Sequence, residues 1–114
     1  MSSLESIQPL LDNDLGEALA DHSGAKPFLA GNTLFGGIVG GNRPSTYSRS
    51  PALWNIFFGH LGLDANYVPL DVGTEDRLLR LLREIVLVDG FLDLTVTDPY
   101  KDAAFRFFDQ TKGA

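Results

Sequence analysis

The chain has 114 residues, a formal net charge of −6 and no cysteine. This length is typical of one domain with one hydrophobic core, and a hydrophobic content of 44% is too high for a disordered chain. The lack of cysteine excludes a disulfide scaffold, a thiolate nucleophile and cysteine-based zinc or iron–sulfur centres, and we expect no metal site.

The negative charge is concentrated at the start of the chain. Residues 1–25 hold five acidic side chains and neither lysine nor arginine. Nucleic acids bind basic surfaces, so we expect no nucleic-acid partner. The segment also lacks the positive region of a secretory signal, and no apolar run approaches the ~20 residues that cross a bilayer. We therefore expect a cytoplasmic protein without a membrane partner.

The first half of the chain predicts helix, strand and helix. Residues 4–23 place apolar side chains at near-helical spacing and predict one or two short helices, and residues 33–39 are typical of a buried strand. Ser50 and Pro51 predict a helix start, with Ser50 as N-cap and Pro51 as the first helical residue, and Gly62 ends this helix. The predicted apolar face comprises Leu53, Ile56, Phe57, His60 and Leu61. Trp54 and the phenylalanines are interpreted as core residues.

The second half repeats the alternation. Residues 66–72 predict a strand, Thr74 predicts the start of an acid-led helix, and residues 91–96 predict a third strand. The apolar face of the middle helix comprises Leu78, Leu79, Leu81, Leu82, Ile85 and Val86. Asp98 and Pro99 repeat the cap-then-proline start and would make Lys101 the third residue of the last helix.

Alternation of strands and helices predicts an α/β fold: a three-layer, open, mostly parallel sheet with helices on both faces. Residues 1–32 are interpreted as an acidic helical extension packed on the domain, and residues 33–114 as the domain itself. Ligands of such sheets bind beyond the carboxyl ends of the strands. The junctions at residues 40–51 and 95–101 are rich in hydroxyl and charged side chains, so we expect the site there.

Two common sites are not supported. The glycines at positions 36, 37, 40 and 41 do not have the spacing of a dinucleotide fingerprint, and Asn42 and Arg43 stand where a phosphate loop needs lysine and serine or threonine. These glycines are better explained by a strand that ends in a close turn. His22 and His60 have no second histidine or acid at ligand spacing, and we interpret both as structural.

Two motifs carry the candidate chemistry. In the first, Ser48 and Ser50 precede a helix whose first N–H groups suit a carboxylate, although Ser50 could simply cap that helix. In the second, Thr95, Thr97 and Lys101 surround a helix start. The positive helix end disfavours a charged Lys101 amine, whereas Asp98 three residues earlier favours it, and the sequence leaves both open.

Together the motifs resemble one family. The stretch from Gly37 through Asp109 is similar to the N-terminal, substrate-binding half of shikimate dehydrogenases and their quinate and aminoshikimate relatives. The first family signature corresponds to Gly41, Pro44, Ser48, Ser50, Pro51 and Asn55, and the second to Val96, Thr97, Pro99 and Lys101. The resemblance implies that Ser48 and Ser50 bind the substrate carboxylate, that Thr97 binds a ring hydroxyl, and that Lys101 is the catalytic residue.

Three positions depart from the family pattern. Tyr47 and Trp54 replace histidines, and Thr95 replaces an asparagine that opens the second motif. A hydroxyl at Thr95 in place of an amide changes which ring substituent can be bound. The resemblance therefore implies a shikimate-like ring acid as the small-molecule substrate, with shikimate itself less certain.

The resemblance also implies parts that this sequence does not show. Family members continue into a dinucleotide-binding domain that holds NADP or NAD, and we expect no cofactor to bind this chain itself. The isolated chain is expected to be inactive, because hydride transfer needs the nicotinamide against the substrate. A stand-alone binding or regulatory module for ring carboxylates is the alternative. A homodimer is possible, and the sequence leaves the oligomeric state open.

Overall fold

The computed structural model describes residues 4–15 and 34–111, and its strands and helices alternate as expected. The strands are β1 Leu34–Gly40, β2 Ala65–Asp71 and β3 Phe91–Val96, and the α-helices are α1 Ser50–Leu61, α2 Glu75–Ile85 and α3 Lys101–Thr111. Short 3₁₀ helices span Leu4–Leu10 and Pro44–Thr46. Of the helices expected in residues 4–23, the part from residue 16 onward lies outside the described residues, and the division at residue 32 stays a prediction.

The strands form one parallel sheet in the order β2-β1-β3. Leu34 to Gly40 pair in unbroken register with Ala65 to Asp71, whereas the pairing of β1 with β3 shifts between Phe35 and Gly36. Gly36 lies close to its neighbours, since a Cβ atom there would displace the Asp93 carboxylate and lie 3.3 Å from the Tyr67 ring. The expected α/β fold is confirmed.

One face of the sheet carries the main hydrophobic core. Phe35 and Val39 of β1 and Val68 and Leu70 of β2 are buried here. They join buried side chains of α2, α3 and the N-terminal segment: Leu78, Leu81, Leu82, Ile85, Ala103, Ala104, Ile7, Leu10, Leu11 and Leu15. Burial of each large aliphatic side chain contributes about 1.5–3 kcal/mol. Val86, expected on the buried face of α2, lies beyond the helix end and is exposed.

Helix α1 covers the opposite face, but not with the predicted side. Its buried residues are Pro51 and Asn55, while Leu53 is 67% exposed and Ile56, Phe57, His60 and Leu61 are also exposed. The prediction failed because α1 contains no acidic or basic side chain other than His60, so the spacing of apolar residues does not define one face. Hydrogen bonds from Asn55 to the β2 backbone orient the helix instead.

The interpretation of all large aromatic residues as core was also wrong. Trp54 is half exposed and packs over Tyr67, with ring centroids 6.0 Å apart and planes 22° from parallel. Phe57, Phe105 and Phe108 are exposed, whereas Phe35 is buried and packs against Phe91.

Two of the four predicted helix boundaries needed correction. Thr74 caps α2 by accepting the Arg77 N–H, and Gly62 ends α1 in a left-handed conformation. Ser50, however, is the first residue of α1, and the N–H of Ser50 donates to Ser48 Oγ at 3.3 Å. Asp98 and Pro99 lie in a turn closed by the Tyr100 N–H on the Thr97 carbonyl, so Lys101 is the first residue of α3 and not the third.

Candidate functional site

The two sequence motifs lie at the same edge of the sheet. The serine motif follows β1, the Lys101 motif follows β3, and these strands are neighbours. The Thr97 N–H donates to the Val39 carbonyl at 2.9 Å, and the Gly41 N–H donates to the Asp98 carbonyl at 3.2 Å. The loops are therefore joined directly at the carboxyl ends of the strands, which is where open α/β sheets bind ligands.

The serine motif is held in a tight turn. Pro44 is buried, and its carbonyl accepts the N–H of Tyr47 at 3.3 Å and of Ser48 at 2.9 Å. Ser48 Oγ accepts the Ser50 N–H, so the Ser48 hydroxyl hydrogen remains able to donate to a ligand. Both serines are half-buried at the start of α1, where the positive end of the helix dipole favours an anion. Pro51 has no N–H, and the N–H groups of Ser50 and Leu53 are already bonded, so the serine hydroxyls are the main donors here.

The second motif places its hydroxyls on the α1 side of the sheet. Thr95 lies near the end of β3, and Thr97 lies two residues later, just beyond the strand. Thr95 is exposed, and Thr97 is half-buried beside Gly40. Lys101 is exposed at the start of α3. The Lys101 backbone therefore lies close to the two threonines in the chain, at the same edge of the sheet.

Tyr67 is a site residue that the sequence analysis missed. Its hydroxyl donates to Thr95 Oγ1 at 2.9 Å, so the Thr95 hydroxyl hydrogen is directed elsewhere. Burial raises the pKa of Tyr67, the hydrogen bond to Thr95 opposes that rise, and the charge of Asp93 adds to it. The only available signal was an aromatic residue in the middle of a predicted strand.

Asp71 is a second residue that the sequence analysis missed. It ends β2, is 1% exposed, and accepts the Ser45 N–H at 2.9 Å and the Ser45 hydroxyl. The Arg43 guanidinium lies 3.9 Å from the same carboxylate. A lone charged residue in a predicted strand was the signal that could have identified it.

Residues 39–114 match the family model described as the shikimate dehydrogenase substrate binding domain, and this match covers well over half of the chain. The chain belongs to the shikimate dehydrogenase family. The shikimate dehydrogenase (NADP(+)) of Anaeromyxobacter sp. (strain K) is 41% identical over 78 residues, which are 67% of this chain and 26% of that protein. The enzyme of the same name from Paramagnetospirillum magneticum is 32% identical over 83 residues, 71% of this chain and 28% of that protein.

This shikimate dehydrogenase domain thus spans about a quarter of the length of the curated relatives it matches. No solved structure matches the chain. Within the described residues, no helix is long and apolar enough to cross a membrane, and no cluster of three or more histidines or acids could hold a metal ion.

The three departures from the family pattern have different places in this shikimate dehydrogenase domain. Tyr47 is exposed in the serine turn, and Trp54 packs over Tyr67. Thr95 carries the hydrogen bond from the Tyr67 hydroxyl. Asn55, which matches the family motif, is buried and bonds the backbone N–H and carbonyl of Tyr67 at 2.8 and 3.1 Å. Asn55 therefore holds α1 to β2 and is turned away from a ligand.

The glycines of β1 and of the turn after it do not form a dinucleotide cradle. A Cβ atom at Gly37 would touch Leu70, and one at Gly41 would crowd Pro99 and Tyr100. Side chains of the same domain thus fill the room that a pyrophosphate would need beside these two glycines.

Proposed function

We propose that this chain is the substrate-binding part of a shikimate dehydrogenase-like oxidoreductase that reduces 3-dehydroshikimate, or a related quinate- or aminoshikimate-type ring acid, with NADPH. The hydrogen bond between Gly41 and Asp98 is the observation that carries the proposal, because it joins the serine motif to the segment that leads into Lys101. The similarity to enzymes named shikimate dehydrogenase (NADP(+)) supports shikimate chemistry and NADP for the complete enzyme.

Each site residue has a proposed role. The hydroxyls of Ser48 and Ser50, at the positive end of α1, hold the ring carboxylate, since charge-assisted hydrogen bonds are among the strongest. Thr95 and Thr97 bind ring hydroxyls, and Tyr67 orients the Thr95 hydroxyl. Lys101 holds the proton that passes to the carbonyl oxygen as the ketone becomes an alcohol.

The chain by itself is proposed to bind the ring acid without reducing it. Side chains fill the space beside Gly37 and Gly41, which supports the assignment of the nucleotide to another domain. That domain, the cytoplasmic location and a homodimer remain parts of the proposal. A stand-alone binding module for ring carboxylates would use the same serines but would not need the Lys101 amine.

Titration of the ¹⁵N-labelled chain with shikimate tests the proposal. We expect saturable shifts at the amides of Ser48, Ser50 and Thr97 and loss of these shifts in the Ser48→Ala/Ser50→Ala double variant. His60→Gln, exposed at the far end of α1, is the matched control and should bind as the original chain does. Absence of saturable shifts at millimolar shikimate and quinate would refute a ring-acid site.

A further inference from the structure

The buried carboxylate of Asp71 has no role in the chemistry proposed above. A buried carboxylate is costly unless hydrogen bonds satisfy it. Here the partners come from a loop 26 residues earlier in the chain: Ser45 offers both its N–H and its hydroxyl, and Arg43 lies 3.9 Å away. The carboxylate is thus used to hold the loop between β1 and α1.

Ser45 is connected directly to the serine motif. It follows Pro44, whose carbonyl accepts the N–H groups of Tyr47 and Ser48. Arg43, immediately before Pro44, has a left-handed backbone with φ of 57°, a conformation that is unfavourable for a side chain of this kind. The Arg43 carbonyl accepts the Thr46 N–H and hydroxyl. The hydrogen bonds from Ser45, in the middle of this turn, to Asp71 offset the energy cost of the left-handed Arg43 backbone.

Asp71 is itself fixed from the opposite side. Its N–H donates to Asn13 Oδ1 and its carbonyl accepts the Asp12 N–H, both at 2.7 Å. Asn13 also donates to the Pro69 carbonyl at 3.0 Å. The N-terminal segment therefore forms hydrogen bonds with the end of β2 that carries the Asp71 carboxylate. This segment lies before the family match at residues 39–114.

We propose that Asp71 is a positioning residue: it holds the turn at residues 43–48 so that Ser48 and Ser50 are arranged to bind the ring carboxylate, and Asn13 of the N-terminal segment supports it. The inference rests on the proposed function for the ligand, but the ordering of the turn can be measured without one. Asp71 does not touch the ligand.

The experiment compares Asp71→Asn, Ser45→Ala and Ser45→Thr in the full chain. Asparagine keeps one acceptor but loses the charge and the second acceptor, and Ser45→Ala removes only the hydroxyl donor. We expect both to speed hydrogen exchange at the Tyr47 and Ser48 amides about tenfold or more and to weaken shikimate binding about tenfold. Ser45→Thr keeps the hydroxyl, so the exchange rates and the shikimate affinity should stay at the values of the original chain. Asn13→Ala should act in the same direction.

A control separates positioning from general loss of stability. Ile85→Val removes one methyl group from the core on α2 and should lower the unfolding temperature without changing exchange at Ser48 or shikimate affinity. The Asp71→Asn/Ser45→Ala double variant should bind no more weakly than Asp71→Asn alone, because both act through one contact.

The outcomes distinguish the two proposals. If Asp71→Asn leaves exchange at Tyr47 and Ser48 unchanged, or if Ile85→Val changes it equally, Asp71 is not a positioning residue. If the original chain binds neither shikimate nor quinate but the exchange results are as expected, the proposed function fails and the role of Asp71 in the turn stands.

Discussion

The backbone N–H of Gly41 donates to the carbonyl of Asp98 at 3.2 Å, and this bond joins the segment that leads to the two serines with the segment that leads to Lys101. It lies at the end of the central strand, where β1 and β3 run side by side. The bond brings two segments that are more than fifty residues apart in the sequence into direct contact, and the proposed ring-acid site depends on this contact.

Loss of the serine hydroxyls should weaken ligand binding without unfolding the protein. Hydrogen bonds to a charged group contribute about 1.5–3 kcal/mol each, so Ser48→Ala should raise the Kd for shikimate about 10- to 100-fold. Isothermal titration calorimetry measures the Kd, and thermal unfolding checks the fold. An unchanged Kd in Ser48→Ala would remove this serine from the site.

Asn55 should matter for stability. Its side chain is buried and bonds both backbone groups of Tyr67. Asn55→Ala leaves these two groups without their partner, and each unsatisfied buried group costs about 1–3 kcal/mol, so we expect a loss of about 2–6 kcal/mol in the free energy of unfolding. Urea denaturation measures it. Ile56→Ala, at the next position but exposed, should change it by less than ~1 kcal/mol.

The sequence predicted most of the fold because its signals are local. Thr74 is followed by two acids, and Gly62 ends an apolar run, so both helix boundaries can be inferred from neighbours in the chain. Residues 91–96 were predicted and observed as the same strand. Each of these features depends on residues within one or two turns.

The failures depend on contacts between distant residues. The hydrogen bonds between Asn55 and the Tyr67 backbone determine which side of α1 is buried. The spacing of apolar residues in α1 does not indicate that side. Asp71 reaches Ser45 across 26 residues, and Tyr67 reaches Thr95 across 28. Tyr67 and Thr95 lie on the two strands that flank β1, and Ser45 lies in a loop, so both pairs depend on the tertiary structure, which a single sequence does not reveal.

Stability should fall at high pH because of two buried tyrosines. Burial is the main cause that raises the pKa of Tyr67 and of Tyr100 above the ordinary value of 10.0. Above pH ~10 the unfolded chain loses these protons before the folded chain does, so the free energy of unfolding is unaffected below that value and decreases as pH rises through the folded pKa.

Tyr67→Phe should remove the share of this pH dependence that belongs to Tyr67 while keeping the ring against Trp54. Unfolding by urea between pH 8 and pH 11 measures the change. Tyr47→Phe, at an exposed position, is the matched control and should leave the curve unchanged. Equal curves for Tyr67→Phe and the original chain would contradict the prediction.

Lys101 should affect the chemical step more than binding. In a protein that joins this chain to the remaining part of the Anaeromyxobacter relative, Lys101→Ala should lower kcat about 100-fold or more, because general acid–base catalysis contributes about 10²–10⁴-fold. The KM for shikimate should change only a few-fold, since the proposal assigns the carboxylate to the serines and not to Lys101. Lys101→Arg keeps the charge but is a poor proton donor, so it should stay slow while binding normally. A loss confined to KM would identify Lys101 as a binding residue and favour the stand-alone module.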